Sequence, residues 1–284
     1  MTTVVSLINM KGGVGKTTIA SQLALEADYM GWQTLAVDLD PQANLSQALL
    51  GQYEYYRCLR QGDLETSIDR ILRGYSPPSK RRASPSAVDV HDAILRNVGP
   101  GNSRLDLLPS KLELSWTIKR SQVDPQNLAK ALASLSDEYR LILIDCAPTE
   151  SILTEAAYYA SRYLLVPVKP EYLATIGLPL LQRSLQEFKE QNRDQEIDVA
   201  GVVFNNSTYP SQTDRGADQS KREVKQIASE HKWRVFRHEI PYSKSWPKAA
   251  RDGTPIGRTS HARRKVANAF LEFSSEFFQA IGLR

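Results

Sequence analysis

Lys11-Gly12-Gly13-Val14-Gly15-Lys16-Thr17-Thr18 carries the residue types that hold a polyphosphate. An apolar, β-branched run at residues 4–8 precedes it, and residues 19–24 read as a helix. Strand, glycine turn, Gly-Lys-Thr and helix form the pattern of a phosphate-binding loop. The glycines let successive backbone N–H groups converge on one anion, and the helix N-terminus adds the positive end of its dipole. In such a loop Lys16 reaches the β- and γ-phosphates of a nucleoside triphosphate and Thr17 ligates Mg²⁺. The cradle is expected from Gly12, Gly13, Val14, Gly15, Lys16, Thr17 and Thr18. Where the usual pattern opens on glycine, this chain has Lys11. A lysine ahead of the glycines is badly placed to fold back on its own site. It is well placed to reach a nucleotide held by another subunit.

Three aspartates stand at the ends of predicted strands. Asp38 and Asp40 flank the end of a strand in Val37-Asp38-Leu39-Asp40-Pro41-Gln42. Residues two apart on a strand share a face, so both can point at one site. Asp40 suits positioning and polarising the attacking water. Asp38 suits either the Mg²⁺ shell or a hydrogen bond within its own loop. Asp145 ends an apolar run at 141–144 and suits a carboxylate acting on Mg²⁺ through water. One such aspartate is commonly a helix N-cap, but three behind a phosphate loop make a site. Asn205, Asn206, Pro241 and Tyr242 follow late strands and are expected near adenine, whose edge an amide can read with both donor and acceptor. Asn-Asn-Ser also reads as a turn.

Strands are expected at 34–38, 104–109, 141–145, 163–168 and 200–205, with 233–236 and 239–241 as the last edge elements. Helical stretches separate them. This alternation predicts an α/β fold: a doubly wound, mostly parallel sheet with helices on both faces. Ligands of such sheets bind at the C-terminal strand ends, where the polar residues above fall. The 284 residues fit one domain spanning 1–284, with an irregular insertion around 52–103. Within it, residues 75–86 are rich in proline, serine and basic residues and read as a tolerated exposed loop rather than a recruitment element.

A hydrophobic content of 41% suffices for a packed core. No apolar run is long enough to span a bilayer, and the immediate entry into a strand fits no signal peptide, so a cytoplasmic protein is expected. Cys58 and Cys146 lie far apart and suggest neither a disulfide scaffold nor a zinc motif. The formal net charge of +4 is uneven: residues 221–284 carry 14 Lys and Arg against 6 Asp and Glu, whereas residues 1–220 carry 22 against 26. A basic C-terminal part suits a polyanion partner or an ordinary solvated surface.

The phosphate-loop stretch is similar to the deviant Walker A box of the ParA/MinD family. Val37-Asp38-Leu39-Asp40-Pro41-Gln42-Ala43-Asn44 resembles its second box in the ParA style, and Asp145-Cys146-Ala147-Pro148-Thr149 its Walker B extension. Residues 166–174 with Gly177-Leu178, then Ile240-Pro241-Tyr242-Ser243-Lys244 and Gly253-Thr254-Pro255-Ile256, resemble later family segments. The match runs in order over most of the chain and weakens across 52–103 and 205–238. With the phosphate loop starting at residue 11, the resemblance is to Soj-like members without an N-terminal helix-turn-helix.

That resemblance implies a Mg²⁺-dependent ATPase forming an ATP-dependent sandwich homodimer. Lys11 would cross to the partner's phosphates, Lys16 would serve its own, Thr17 would bind Mg²⁺ and Asp40 would support hydrolysis. It further implies non-specific, nucleoid-associated DNA binding by the dimer. Candidate contacts are Lys244, Lys248, Arg251, Arg258, Arg263, Arg264 and Lys265, directed at phosphates. The implied work is partition of plasmid or chromosome DNA, with hydrolysis stimulated by a ParB-like or cargo adaptor. Alternatives are the same engine positioning a protein cargo, or a MinD-like membrane regulator. The tail at 270–281 has helical apolar spacing, but its polar face is acidic, which suits core packing rather than anionic lipid.

Overall fold

Seven strands build one sheet in a computed structural model that describes residues 2–64, 67–74, 89–119, 123–171, 174–207, 215–251, 253–260 and 262–284, leaving aside the side chains of residues 174, 175, 206, 207, 215, 247, 250 and 251. In chain order the elements are β1 (Thr3–Leu7), α1 (Lys16–Tyr29), β2 (Thr34–Leu39), α2 (Asn44–Leu50), α3 (Gln52–Gln61), α4 (Ile68–Gly74), β3 (Leu105–Leu108), α5 (Leu114–Lys119), α6 (Gln126–Ala133), β4 (Leu141–Cys146), α7 (Ile152–Ala160), β5 (Tyr163–Val168), α8 (Ala174–Gln191), β6 (Asp198–Ser207), α9 (Arg215–Glu230), β7 (Ile240–Pro241), α10 (Ser245–Arg251) and α11 (Arg264–Ala280). The strand order is β3-β2-β4-β1-β5-β6-β7, and every strand pair is parallel.

The central strands are apolar on both faces because helices cover both. Along β4, Leu141 and Leu143 face a core shared with α1, α2, α10 and α11, while Ile142 and Ile144 face a second core shared with α4 to α9. The period-2 alternation of the strand thus feeds two layers at once. Parallel pairing brings the strand C-termini to one edge. There the loop after β1, the Asp38–Asp40 segment after β2 and Asp145 on β4 meet.

Two stretches differ from the sequence expectation. The region at 52–103 is not irregular where described: it holds α3, α4, a 3₁₀ turn at Val90–Ala93 and an antiparallel bridge between Leu95 and Leu107. Helix α3 is hard to see in sequence because half of its ten residues are Gln, Glu or Arg; it buries Tyr55 and Cys58. The proline- and serine-rich stretch at 75–86 lies outside the described residues. Residues 233–236 form no strand; they contribute one parallel bridge, Val202 with Val235, and seat the Phe236 ring. That ring leaves no room for a side chain at Gly201, where a Cβ would lie 2.6 Å from it.

Helix α11 packs as its acidic polar face suggests. Phe270, Phe273, Phe277, Phe278 and Ile281 are buried, with Phe278 at 4.9 Å from Trp32 and Phe273 at 5.4 Å from Phe236, ring centroid to centroid. Its apolar stripe is committed to the core. Among the described residues no helix is long and apolar enough to cross a membrane.

Candidate nucleotide site

The loop between β1 and α1 depends on glycine at two positions, with φ of +75° at Gly13 and +92° at Gly15, a region that side-chain-bearing residues rarely adopt. Gly12 beside them sits near the Pro148 ring, and Val14 is buried. Gly15 caps α1 and has no side chain to offer, so the capping residue leaves the first N–H groups of that helix open to an anion. Thr18 sits half-buried in the first turn, and its carbonyl accepts from the Ser21 hydroxyl.

Lys16 is almost wholly buried, and its Nζ donates to the Asn9 carbonyl at 3.0 Å and the Lys11 carbonyl at 3.2 Å. Burial lowers its pKa, while Asp145, Cys146 and Asp40 act the other way. The Thr17 hydroxyl donates to Asp145 Oδ2 at 2.6 Å. The other carboxylate oxygen, Asp145 Oδ1, is buried with no partner. Asp145 lies opposite Asp38 in the β2–β4 register. Desolvation first, then the Asp38 charge, pushes its pKa well above the ordinary carboxylate range. An orphaned carboxylate oxygen beside a threonine hydroxyl suits a hard cation such as Mg²⁺, which takes one or two carboxylates and completes its shell with phosphate and water. Among the described residues no group of three His, Cys, Asp or Glu side chains forms an all-protein metal cage, as expected for such an ion.

Asp38 hydrogen-bonds within its own loop, the contact anticipated as one of its two roles. Its Oδ2 accepts from the Ser46 amide and hydroxyl, both at 2.7 Å, and its Oδ1 from the Asp40 amide at 3.2 Å. With both oxygens engaged it organises the turn into α2. Burial pushes its pKa up to about 7 despite these donors. Asp40 accepts from the Gln42 amide, and the turn closes through Ala43, which is held at φ +53°. Lys11 does fold back within its own chain, onto a partner 160 positions away in sequence: its Nζ lies 2.9 Å from Glu171 Oε1, an oxygen that Lys169 also approaches at 3.3 Å. The hydrogen bond from Lys11 lowers the Glu171 pKa.

Two asparagines brace the loop. Asn9, which sequence reasoning did not single out, donates to the Pro167 carbonyl and accepts from the Lys11 amide. The only signal for it was a polar residue between an apolar strand and the glycines. Asn205, expected near adenine, donates to the Val14 carbonyl at 2.7 Å. Asn206 follows it on β6, with a side chain outside the description. Pro241 is buried on β7, its carbonyl accepting from the Trp246 indole, and Tyr242 is exposed.

The predicted basic surface divides in two. Arg258, itself exposed, is engaged within the chain: it meets the buried Glu26 of α1 at 3.2 Å and stacks 4.0 Å over the Tyr29 ring. Burial raises the Glu26 pKa against the pull of Arg258. One turn earlier, Gln22 holds the Thr254 carbonyl and the Ile256 amide. Arg258 thus fastens the 253–258 segment to α1. Lys244, Arg263, Arg264 and Lys265 are exposed and Lys248 is half-buried; the Arg251 side chain lies outside the description. Arg263, Arg264 and Lys265 crowd the N-terminal end of α11, whose first turn holds no acidic residue. Cations there oppose the helix dipole, which disfavours the helix by about 0.3–1 kcal/mol for each well-placed charge.

A glycine loop feeding a helix behind the first strand of an all-parallel sheet, with its lysine buried and its threonine bonded to a distal aspartate, defines a P-loop nucleotide-binding fold. Residues 2–199 match the family model AAA_31, described as an AAA domain, and the chain belongs to this ParA/MinD-type P-loop ATPase family. It is 30% identical over 252 residues to the chromosome-partitioning ATPase Soj of Treponema pallidum, covering 88% of this chain and 87% of that one. It is 27% identical over 274 residues to the sporulation initiation inhibitor protein Soj of Bacillus subtilis, covering 96% and 97%. The structure of apo McdA from Cyanothece superposes with a TM-score of 0.79 at 20% identity, covering 99% of this chain and all of that one, and shows the same fold.

Proposed function

We propose that this chain is a Mg²⁺-dependent ATPase that dimerises on ATP, binds DNA without sequence preference in that state, and partitions plasmid or chromosome DNA on the nucleoid, with hydrolysis stimulated by a ParB-like adaptor. The observation that carries the reading is the Thr17–Asp145 contact with its orphaned carboxylate oxygen, set behind a glycine loop whose lysine is buried beside it. Bound Mg²⁺ would offset charge on the β- and γ-phosphates. Lys16 binds the phosphates of its own chain, and Asp40 orients the attacking water. Lys11 exchanges Glu171 for the partner's phosphates, so that turnover requires two chains. Adenine lies toward Pro241 and Tyr242.

The chromosome-partitioning ATPase Soj of Treponema pallidum, matched over 88% of this chain, supports the partition reading over a protein cargo. Burial of the α11 aromatic stripe speaks against a MinD-like membrane anchor. The exposed cations around the start of α11 support a polyanion partner, with DNA phosphates as the ligand.

The test measures ATP hydrolysis with Mg²⁺ or EDTA, molar mass by light scattering with and without a non-hydrolysable ATP analogue, and retention on DNA over a salt series. Hydrolysis only with Mg²⁺, a doubled mass with the analogue and analogue-dependent, salt-sensitive retention are expected. A chain that stays monomeric with the analogue bound removes the dimer reading. Retention by anionic vesicles in place of DNA removes the partition reading.

A further inference from the structure

Asn205 stands far from the phosphate loop in sequence and against it in space. Its side-chain nitrogen is 2.7 Å from the Val14 carbonyl, and a carbonyl can only accept, so the amide's donor end faces the loop whichever way its oxygen lies. The approach is close: a Cβ on Gly15 would lie 2.0 Å from that nitrogen. Gly15 is thus fixed twice over, by its φ of +92° and by the space Asn205 occupies. At the other end of the loop Asn9 makes the matching contacts, donating to Pro167 on β5 at 2.8 Å and accepting from the Lys11 amide at 2.9 Å. The two amides join the loop to the adjacent strands β5 and β6.

We propose that Asn205, working with Asn9, is a positioning residue that holds the phosphate loop in its anion-cradling form, so that its contribution to nucleotide binding falls on the polyphosphate and not on the base. The inference rests on the nucleotide-binding reading above and refines it. A loop whose N–H groups already converge loses less conformational entropy on binding than one that must be ordered by its ligand. An amide engaged with Val14 acts through the loop. An amide reading adenine acts through the base. The two roles differ in which ligands they affect.

The experiment compares wild type, Asn205→Ala and Asn9→Ala in binding ATP, GTP and inorganic tripolyphosphate, all with Mg²⁺, together with hydrogen exchange of the nucleotide-free proteins. Asn205→Ala is expected to weaken all three ligands by a similar factor, about tenfold for one lost hydrogen bond in a buried site. Exchange is expected to speed up at residues 12–16, and Asn9→Ala should act in the same direction. If Asn205→Ala weakens ATP while tripolyphosphate binding and loop exchange stay as in wild type, Asn205 reads the base and the proposal falls. Unchanged binding and exchange overturn it equally. Should the alanine variant fail to fold, Asn205→Ser, which keeps a shorter donor, is read by the same two criteria. Wild-type protein that binds neither ATP nor tripolyphosphate would defeat the nucleotide reading instead, a result distinct from either outcome in the variants.

Discussion

The nucleotide end of the sheet and the basic C-terminal surface both concentrate charge, and they handle it in opposite ways. At the strand ends Lys16, Asp38 and Asp145 are buried, and each touches a named partner within the site. At the start of α11, Arg263 and Arg264 stand exposed, beside a helix dipole that does not favour them. A buried charge is held in one geometry and single substitutions should be decisive. An exposed cluster acts through its summed field, so single substitutions should be mild and salt-dependent. Arg258 belongs by sequence to the second group and by contact to the first.

Lys16→Ala should sharpen that contrast most. Removing the ammonium is expected to lower ATP affinity by about two orders of magnitude or more, read by calorimetric titration. Asp40→Ala comes next: ATP binding persists, while steady-state hydrolysis falls by about 10²–10³-fold and the dimer outlives its wild-type lifetime. Turnover at the wild-type rate in that variant would remove Asp40 from the chemistry. Paired reversal of Arg263 and Arg264 to glutamate should weaken DNA binding, lowering the slope of log affinity against log salt by about 1 per lost phosphate contact. An unchanged slope would break the comparison, because those charges would then be ordinary surface.

Arg258→Ala tests the residue that crosses between groups. Losing the guanidinium leaves Glu26 buried without its cation, and a cost of about 1–3 kcal/mol should appear as a melting temperature several degrees lower. The smallest effect concerns pH. With burial raising its folded pKa to about 7, well above the ordinary carboxylate range, Asp38 keeps a proton in the folded state that the unfolded chain releases earlier. Its stabilising share is full below about pH 4 and is lost as pH rises through 7. Between pH 5 and 8 the melting temperature of the nucleotide-free wild type should therefore fall relative to Asp38→Asn.

The sheet and most of the site residues were legible because they are local. Apolar runs ending in aspartate mark β2 and β4, and the glycine loop announces its own chemistry within eight residues. What escaped lies in contacts between distant segments. Nothing near Lys11 points to Glu171, nothing near Arg258 points to Glu26, and Asn9 reveals its brace only once β5 lies alongside β1. Helix α3 escaped for a different reason: half of its ten residues are Gln, Glu or Arg, so it does not read as a core-facing element.

Helix α1 serves both regions, gripping Asp145 through Thr17 at its start and Arg258 through Glu26 near its end. Each residue inserted or removed between those two points would turn one grip by about 100° against the other and shift it by about 1.5 Å. The stretch from 17 to 26 is therefore fixed in length as well as packed from Ile19 to Glu26, like the shank of a key cut at both ends.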